Sequence, residues 1–290
     1  MKVLLATDRS NSSAGALDYL KQLSFADPVD LHLTSVVPMS MEPQTLDFPP
    51  VAMAMIEDES AAIKEHLADL SNCSAEFASD VHTSMNVGSP SYSIVESAEH
   101  HESELVVLGA IGKSAIERAL LGSVSDFVAT HAPCSTMIVR PSGTRPAGTP
   151  KRIVLALASD DEDSKLVDFL GRFIWPSDTD VHLYHVMQPL KFGEKSVLDE
   201  AKDYWAKAES LIHEHAETVK QPLTELIDST KIKVAAADHI GQSIVKYAED
   251  VDCDLLIIGD SHHSFLNRVF LGSTSRFVLR HASCSVVVVR

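Results

Sequence analysis

Two segments of this chain are copies of one another, and no other feature constrains its fold as strongly. Glu104–Arg140 (ELVVLGAIGKSAIERALLGSVSDFVATHAPCSTMIVR) aligns without a gap on Asp254–Arg290 (DLLIIGDSHHSFLNRVFLGSTSRFVLRHASCSVVVVR) at a constant offset of 150. Sixteen of the 37 positions are identical, among them Gly109/Gly259, Gly122/Gly272, Ser123/Ser273, Ser125/Ser275 and Cys134/Cys284. The openings Val3–Ala6 and Ile153–Ala156 pair at the same offset. A repeat of this length describes whole domains, so the chain reads as two tandem domains, residues 1–140 and 151–290. Residues 141–150 (PSGTRPAGTP), with three prolines and two glycines, read as the linker.

Each copy alternates strand-like and helix-like stretches. Val3–Ala6 is a short apolar run suited to a strand buried on both faces. Asn11 or Ser12 can cap a helix carrying Ala16, Leu17, Leu20 and Leu23 at helical spacing. Leu31–Val37 reads as a second strand, and Pro38 to Pro50 as a proline-rich loop. Ile63, Leu67 and Leu70 mark a helix, and Val81–Val87 a third strand. Ile94, Val95 and Ala98 mark another helix. Leu105–Leu108 is a fourth strand, Val124–His131 a helix and Met137–Val139 a last strand. The second copy repeats the order with a longer helix around Leu198–Val219. This β-α alternation implies an α/β fold: two doubly wound, Rossmann-like parallel sheets of five strands with right-handed crossovers. Ligands in such sheets bind beyond the carboxyl ends of the strands, where the strand order reverses.

The residues that follow the fourth strand carry the functional signal: Gly109-x2-Gly112-x9-Gly122-Ser123-Val124-Ser125. A glycine ending a buried strand admits a ligand close to the backbone, and Gly112 can supply a turn whose N–H groups face an anion. Gly122-Ser123 precedes a helix whose first amides and dipole favour phosphate, and the Ser123 and Ser125 hydroxyls add donors. Gly112-Lys113-Ser114 is not a P-loop, because Val107 stands where that motif needs glycine. No GxGxxG follows the first strand either.

This pattern resembles the nucleotide-binding signature of the universal stress protein family, and the resemblance spans both halves. Ala6-Thr7-Asp8 is similar to the family's opening segment, whose aspartate lies near the nucleoside. Val36 stands where the family's backbone recognises adenine. Gly88-x-Pro90-x3-Ile94-x3-Ala98 resembles the entry to the third helix, and Cys134 to Val139 the dimerising last strand. The resemblance implies an adenine nucleotide as ligand (ATP, or ADP or AMP, with Mg²⁺ as an optional companion). It also implies an intramolecular pseudo-dimer and a role as a stress-response sensor or regulator. Pairing of Met137–Val139 with Val286–Val289 is the expected join, since both are apolar edge candidates.

The second copy departs from the pattern twice: Ala158 replaces Asp8 and His262 replaces Gly112. Gly259, Gly272, Ser273 and Ser275 remain as a possible second anion site, but a degenerate domain kept for packing is the simpler reading. Two rivals stand beside nucleotide binding: an interaction module with vestigial sites, and a slow ATP hydrolase in which Asp8 is a base and Lys113 or Arg118 a γ-phosphate clamp. No nucleophile–base–orienter set supports efficient catalysis.

Forty-one acidic residues against 24 basic ones leave a net charge of −17, a field that repels phosphate backbones, so nucleic acid is not expected as a partner. No apolar run approaches the ~20 residues of a membrane span. Val3–Ala6 is too short for a secretory leader, and the four cysteines form no CxxC pair, so a cytoplasmic protein with buried free thiols is expected. The sequence does not identify protein partners, and a homodimer of tandem chains is left open. The fourteen histidines, including His100-His101, His213-x-His215 and His262-His263, show no metal-ligand spacing and read as structural or solvent-facing. His131 and His281, each at a helix end, are expected to meet terminal carbonyls.

Overall fold

The computed structural model describes residues 1–39, 50–112, 121–140, 149–158, 162–189, 198–260 and 271–290. In the first domain the elements are β1 (Lys2–Ala6), α1 (Asn11–Gln22), β2 (Ser24–Phe25), β3 (Asp30–Pro38), α2 (Pro50–Ser74), β4 (Asp80–Gly88), α3 (Pro90–His100), β5 (Leu105–Gly109), α4 (Ser123–His131) and β6 (Ser135–Val139). The second repeats them as β7 (Arg152–Leu157), α5 (Asp163–Leu170), β8 (Phe173–Ile174), β9 (Asp180–Met187), α6 (Leu198–Leu223), β10 (Ser229–Ala236), α7 (Ile240–Asp250), β11 (Leu255–Gly259), α8 (Ser273–His281) and β12 (Ser285–Val289).

Each half is a parallel five-stranded sheet, and the two join into one sheet of ten in the order β10-β9-β7-β11-β12-β6-β5-β1-β3-β4. From β1 the chain winds outward through β3 and β4, then returns to β5 on the other side. The reversal therefore lies between β1 and β5, where a doubly wound sheet opens a crevice. Strand side chains alternate between two cores. Val3, Leu5, Leu31, Leu33 and Val107 pack beneath α1 and α2, while Leu4, Ala6, Val106 and Leu108 pack beneath α3 and α4. Both cores run across the two domains, because Met137, Ile138, Val286 and Val287 stand on either side of the join and are fully buried. A parallel strand covered on both faces can be apolar at every position, which is why these runs do not alternate in sequence.

The join is antiparallel, with Val286 opposite Ile138, Val287 opposite Met137 and Val288 opposite Thr136. Pseudo-twofold symmetry makes its hydrogen bonds reciprocal. Arg140 N donates to Ser285 Oγ at 3.1 Å, and Arg290 N to Ser135 Oγ at 3.2 Å. Each closing arginine also reaches across to the other domain's helix end. Arg140 donates to Leu279 O, and Arg290 to Ala129 O at 2.7 Å, supplying cation to carbonyls at a helix C-terminus. Arg280 forks onto Asp126 at 3.0 and 2.8 Å. A second junction, absent from the sequence reading, pairs β2 with β8 antiparallel and sets the Phe25 and Phe173 rings 5.2 Å apart.

Several details differ from the sequence expectations. The cap of α1 is Ser10, not Asn11 or Ser12: its side chain accepts from Ser13 N at 3.2 Å. Helix α2 begins at Pro50, well before Ile63, because proline at a first helical position gives up an N–H that the helix leaves unbonded anyway. His131 and His281 do turn Nδ1 onto the carbonyls of Phe127 and Phe277, each at 2.8 Å. Cys73 is exposed rather than buried, and Cys134, Cys253 and Cys284 are half-buried. Burial raises the Cys134 thiol to about 11, which keeps it protonated and unreactive. Most of the linker lies outside the described residues. No helix among the described residues is long and apolar enough to cross a membrane.

Candidate functional site

Strand β1 stops at Ala6, and the chain turns through Thr7 and Asp8 into α1. Thr7 N still bonds Thr34 O at 2.9 Å, so the turn stays anchored to the sheet. Asp8 Oδ1 accepts from Ser10 N at 3.1 Å, a local Asx turn that fixes the carboxylate. The Thr7 hydroxyl meets Ser13 Oγ at 3.1 Å and His66 Nε2 at 3.2 Å, tying the turn to α1 and α2.

The three glycines of the motif serve different ends. A Cβ on Gly109 would fall 2.4 Å from Ser12 Oγ and 2.6 Å from the Ser12 carbonyl carbon, so this glycine lets the first turn of α1 press against β5. That is a helix–strand contact rather than the approach to a ligand expected from the sequence. A Cβ on Gly112 would fall 2.6 Å from Asp8 Oδ2. Gly112 has an ordinary φ, since Gly88 is the only described glycine with a positive one, so its role is to leave space for the Asp8 carboxylate. Gly122 is extended at φ −74° and its N–H donates to Ala110 O at 2.7 Å, bringing the two ends of the intervening loop together.

Helix α4 then starts at Ser123 with no side-chain cap, and the first described return bond is from Asp126 N to Gly122 O at 2.9 Å. The amides of its first turn are thus left facing the space beyond the sheet, where a helix dipole favours negative charge. The Ser125 hydroxyl is committed elsewhere: it donates to Gly109 O at 2.8 Å, and Ser275 does the same to Gly259 O at 3.0 Å. In both copies this serine pins the helix to the end of its strand.

These elements enclose a cavity of about 400 Å³ at the carboxyl ends of β1, β3 and β5. All ten expected residues of the first site line it: Ala6, Thr7, Asp8, Val36, Gly109, Gly112, Gly122, Ser123, Val124 and Ser125 are brought together. Its apolar side is Val36, Ile63, Ile94, Leu108 and Leu121, and its polar end is Asp8, Arg9, Glu59 and the start of α4. A mainly apolar cleft with a few convergent polar groups is the usual form of a small-molecule site, and the volume falls in the common range of roughly 300–1,000 Å³. Sequence reasoning missed Arg9 and Glu59. Arg9 adjoins Asp8 and was within reach of inspection, whereas Glu59 arrives through α2, whose start was hidden in the proline-rich stretch. Lys113 and Arg118 lie outside the described residues.

The equivalent position in the second domain is built differently. Asp163 takes the place of Ser13, is only 2% exposed, accepts from Ala158 N at 2.9 Å and bonds His215 Nε2 at 2.9 Å. An internal carboxylate therefore occupies the turn that lost Asp8. Tyr184 takes the place of Thr34; its ring stacks on Tyr247 at 4.1 Å and its hydroxyl meets Ser243 Oγ at 2.8 Å. His185 takes the place of Ser35 and turns Nδ1 onto Leu157 O at 3.0 Å, with burial lowering its imidazole from the ordinary value. Gly272 still enters α8 without a side-chain cap, but His262 lies outside the described residues.

Both halves match the universal stress protein family model, over residues 1–140 and again over 149–290. The chain belongs to this family. Two matches in one chain make it a tandem universal stress protein. A universal stress protein of Methanocaldococcus jannaschii is 28% identical over 142 residues, 48% of this chain and 81% of the relative. One from Synechocystis is 27% identical over 149 residues, 48% of this chain and 97% of the relative. Among solved structures, a universal stress protein from Archaeoglobus fulgidus superposes with a TM-score of 0.63 at 18% identity, covering 100% of this chain and 96% of the other. One from Pseudomonas aeruginosa gives 0.65 at 16%, covering 99% and 92%. At these identities the structures speak for the shared fold.

A larger cavity, about 540 Å³, lies at the opposite ends of the first-domain strands, lined by Asp30, His32, His82, His100 and His101 among others. No helix start faces it, and it collects imidazoles rather than amides. The His32 and His101 rings stack at 3.7 Å, and His32 Nε2 is already bonded to Ser84 Oγ at 2.7 Å. Among the described residues no group of three or more His, Cys, Asp or Glu is placed to hold a metal ion. We therefore assign the smaller cavity, at the strand-order reversal, as the candidate site.

Proposed function

We propose that the first domain of this tandem universal stress protein binds one adenine nucleotide, ATP in the first place, and that the chain acts as a cytoplasmic stress-response sensor or regulator. The observation that carries the reading is the Asp8 carboxylate seated against Gly112, beside the uncapped start of α4 in one cavity. An apolar flank between Val36 and Ile94 suits a purine, Asp8 can accept from ribose hydroxyls, and the amides of Ser123 and Val124 suit phosphate oxygens. With no metal-ligand group among the described residues, Mg²⁺ would enter as a companion of the phosphates. The second domain, with Ala158, Tyr184 and the inward-turned Asp163, is the packing partner rather than a second nucleotide site.

Isothermal titration with ATP, ADP and AMP tests the reading. One site per chain is expected, abolished by Asp8→Ala. Two equivalent sites per chain, or a single site that survives Asp8→Ala unchanged, would overturn it.

A further inference from the structure

Arg9 is an anomaly at the edge of the candidate site. It follows Asp8 directly and adopts φ +62°, a left-handed backbone that arginine enters at a cost, and such outliers gather where a ligand is held. Its side chain lies mostly buried along the cavity wall, and one terminal nitrogen is ion-paired with Glu59 of α2, which lines the same cavity. Its Nε is buried with no hydrogen-bond partner among the described residues. A buried guanidinium N–H without an acceptor is costly, because water has been removed and nothing replaces it. The second domain offers an internal comparison. The long helices match at an offset of 149, Leu67 with Ala216, both buried, so Glu59 corresponds to Ala208, and Arg9 corresponds to Ser159 at 150. The pair exists only in the domain that keeps Asp8 and Gly112.

We propose that Arg9 is a specificity-determining residue of the nucleotide site: Glu59 holds its guanidinium at the cavity wall so that the Nε–H donates to a phosphate oxygen of the bound nucleotide. The inference rests on the nucleotide reading above. It adds that the site prefers a phosphorylated nucleotide to the bare nucleoside through this side chain. Guanidinium–phosphate bonds are charge-assisted and directional, so a lysine cannot replace the planar Nε donor. Glu59 is a positioning residue, acting only through Arg9.

The experiment titrates adenosine, AMP and ATP into the full chain and into Arg9→Gln, Arg9→Gly, Arg9→Lys and Glu59→Gln, with thermal unfolding of each protein alongside. Arg9→Gly suits the left-handed backbone, so it removes the guanidinium without adding strain. Both Arg9→Gln and Arg9→Gly are expected to weaken AMP and ATP about tenfold or more and leave adenosine within about twofold. Arg9→Lys should recover part of the loss. Glu59→Gln should show a smaller loss with the same selectivity. Equal weakening of adenosine and AMP, or no change in either, overturns the assignment while leaving the nucleotide site standing. If the unaltered chain binds neither adenosine nor ATP, the nucleotide reading itself has failed and this inference falls with it.

Discussion

Asp8 and Gly112 form one steric unit, and a double-mutant cycle can show it. A methyl group on residue 112 would sit 2.6 Å from Asp8 Oδ2, with Asp8 Cγ, at 3.7 Å, the other atom of the described residues within 4 Å. Ordinary contact begins near 3.4 Å, so in Gly112→Ala the carboxylate must retreat by roughly 0.8 Å. Two side-chain torsions can absorb that retreat at about 0.5–1.5 kcal/mol, so the fold should survive with a small drop in melting temperature. Binding should suffer more. A charge-assisted hydrogen bond contributes about 1.5–3 kcal/mol, and displacing its acceptor should weaken the nucleotide roughly ten- to a hundredfold. Asp8→Ala should cost the same amount by a different route. In the double variant the new methyl meets no carboxylate, so the loss should equal that of Asp8→Ala alone, leaving a coupling about as large as either single effect. Calorimetric titration of the four proteins gives the cycle. Additive losses, or Gly112→Ala binding as tightly as the unaltered chain, would refute the reasoning. Steric exclusion of this kind also accounts for the paired change to Ala158 and His262: once the carboxylate is gone, nothing requires the glycine.

Four further outcomes are expected. Gly122 is extended and a Cβ there meets only ordinary contacts among the described residues, the nearest 3.4 Å from Ala110 O, so Gly122→Val should fold but fill the cavity and abolish binding. Gly272→Val should leave the titration nearly intact, and loss of binding there would show that the second domain holds the nucleotide. Burial lowers His32 from 6.5 to about 4, helped by the neighbouring imidazoles of His101, His82 and His100 and opposed by Asp30. The unfolded chain therefore takes up a proton that the folded one refuses, and stability should fall as pH drops from about 6.5 towards 4. The full shift corresponds to about 3 kcal/mol, and solvent in the adjacent cavity reduces the expected loss to about 2 kcal/mol. His32→Asn should flatten urea midpoints over this range, and an unchanged slope would exclude His32 as the source. Finally, Arg290 bonds Asp260 at 2.8 Å across a nearly buried pair, so Arg290→Ala should lower stability by about 3–5 kcal/mol in thermal unfolding. A loss below about 1 kcal/mol would mean that the buried pair contributes little to stability.

The sequence by itself determined the two-domain repeat, the order of strands and helices, and the glycine-serine segment after the fourth strand. These rest on local physics: apolar runs long enough for strands covered on both faces, helical spacing, and a motif whose parts are close in the chain. It also pointed to Asp8 against Ala158 and Gly112 against His262, since a constant offset makes such differences visible without coordinates. Only the tertiary structure decided what the glycines are for. That Gly109 admits Ser12 and Gly112 admits Asp8 depends on segments about a hundred residues apart meeting at van der Waals distance. The β2–β8 junction was equally hidden, because two residues carry no periodicity. Glu59 was assigned no role, and Arg9 acquires its meaning only when α2, packed against β3 and β4, brings Glu59 to it. Asp163, unremarkable in sequence, becomes a buried carboxylate facing His215 through the same kind of long-range contact. Local spacing encodes the elements, while the chemistry at their ends is set by which elements the fold brings side by side.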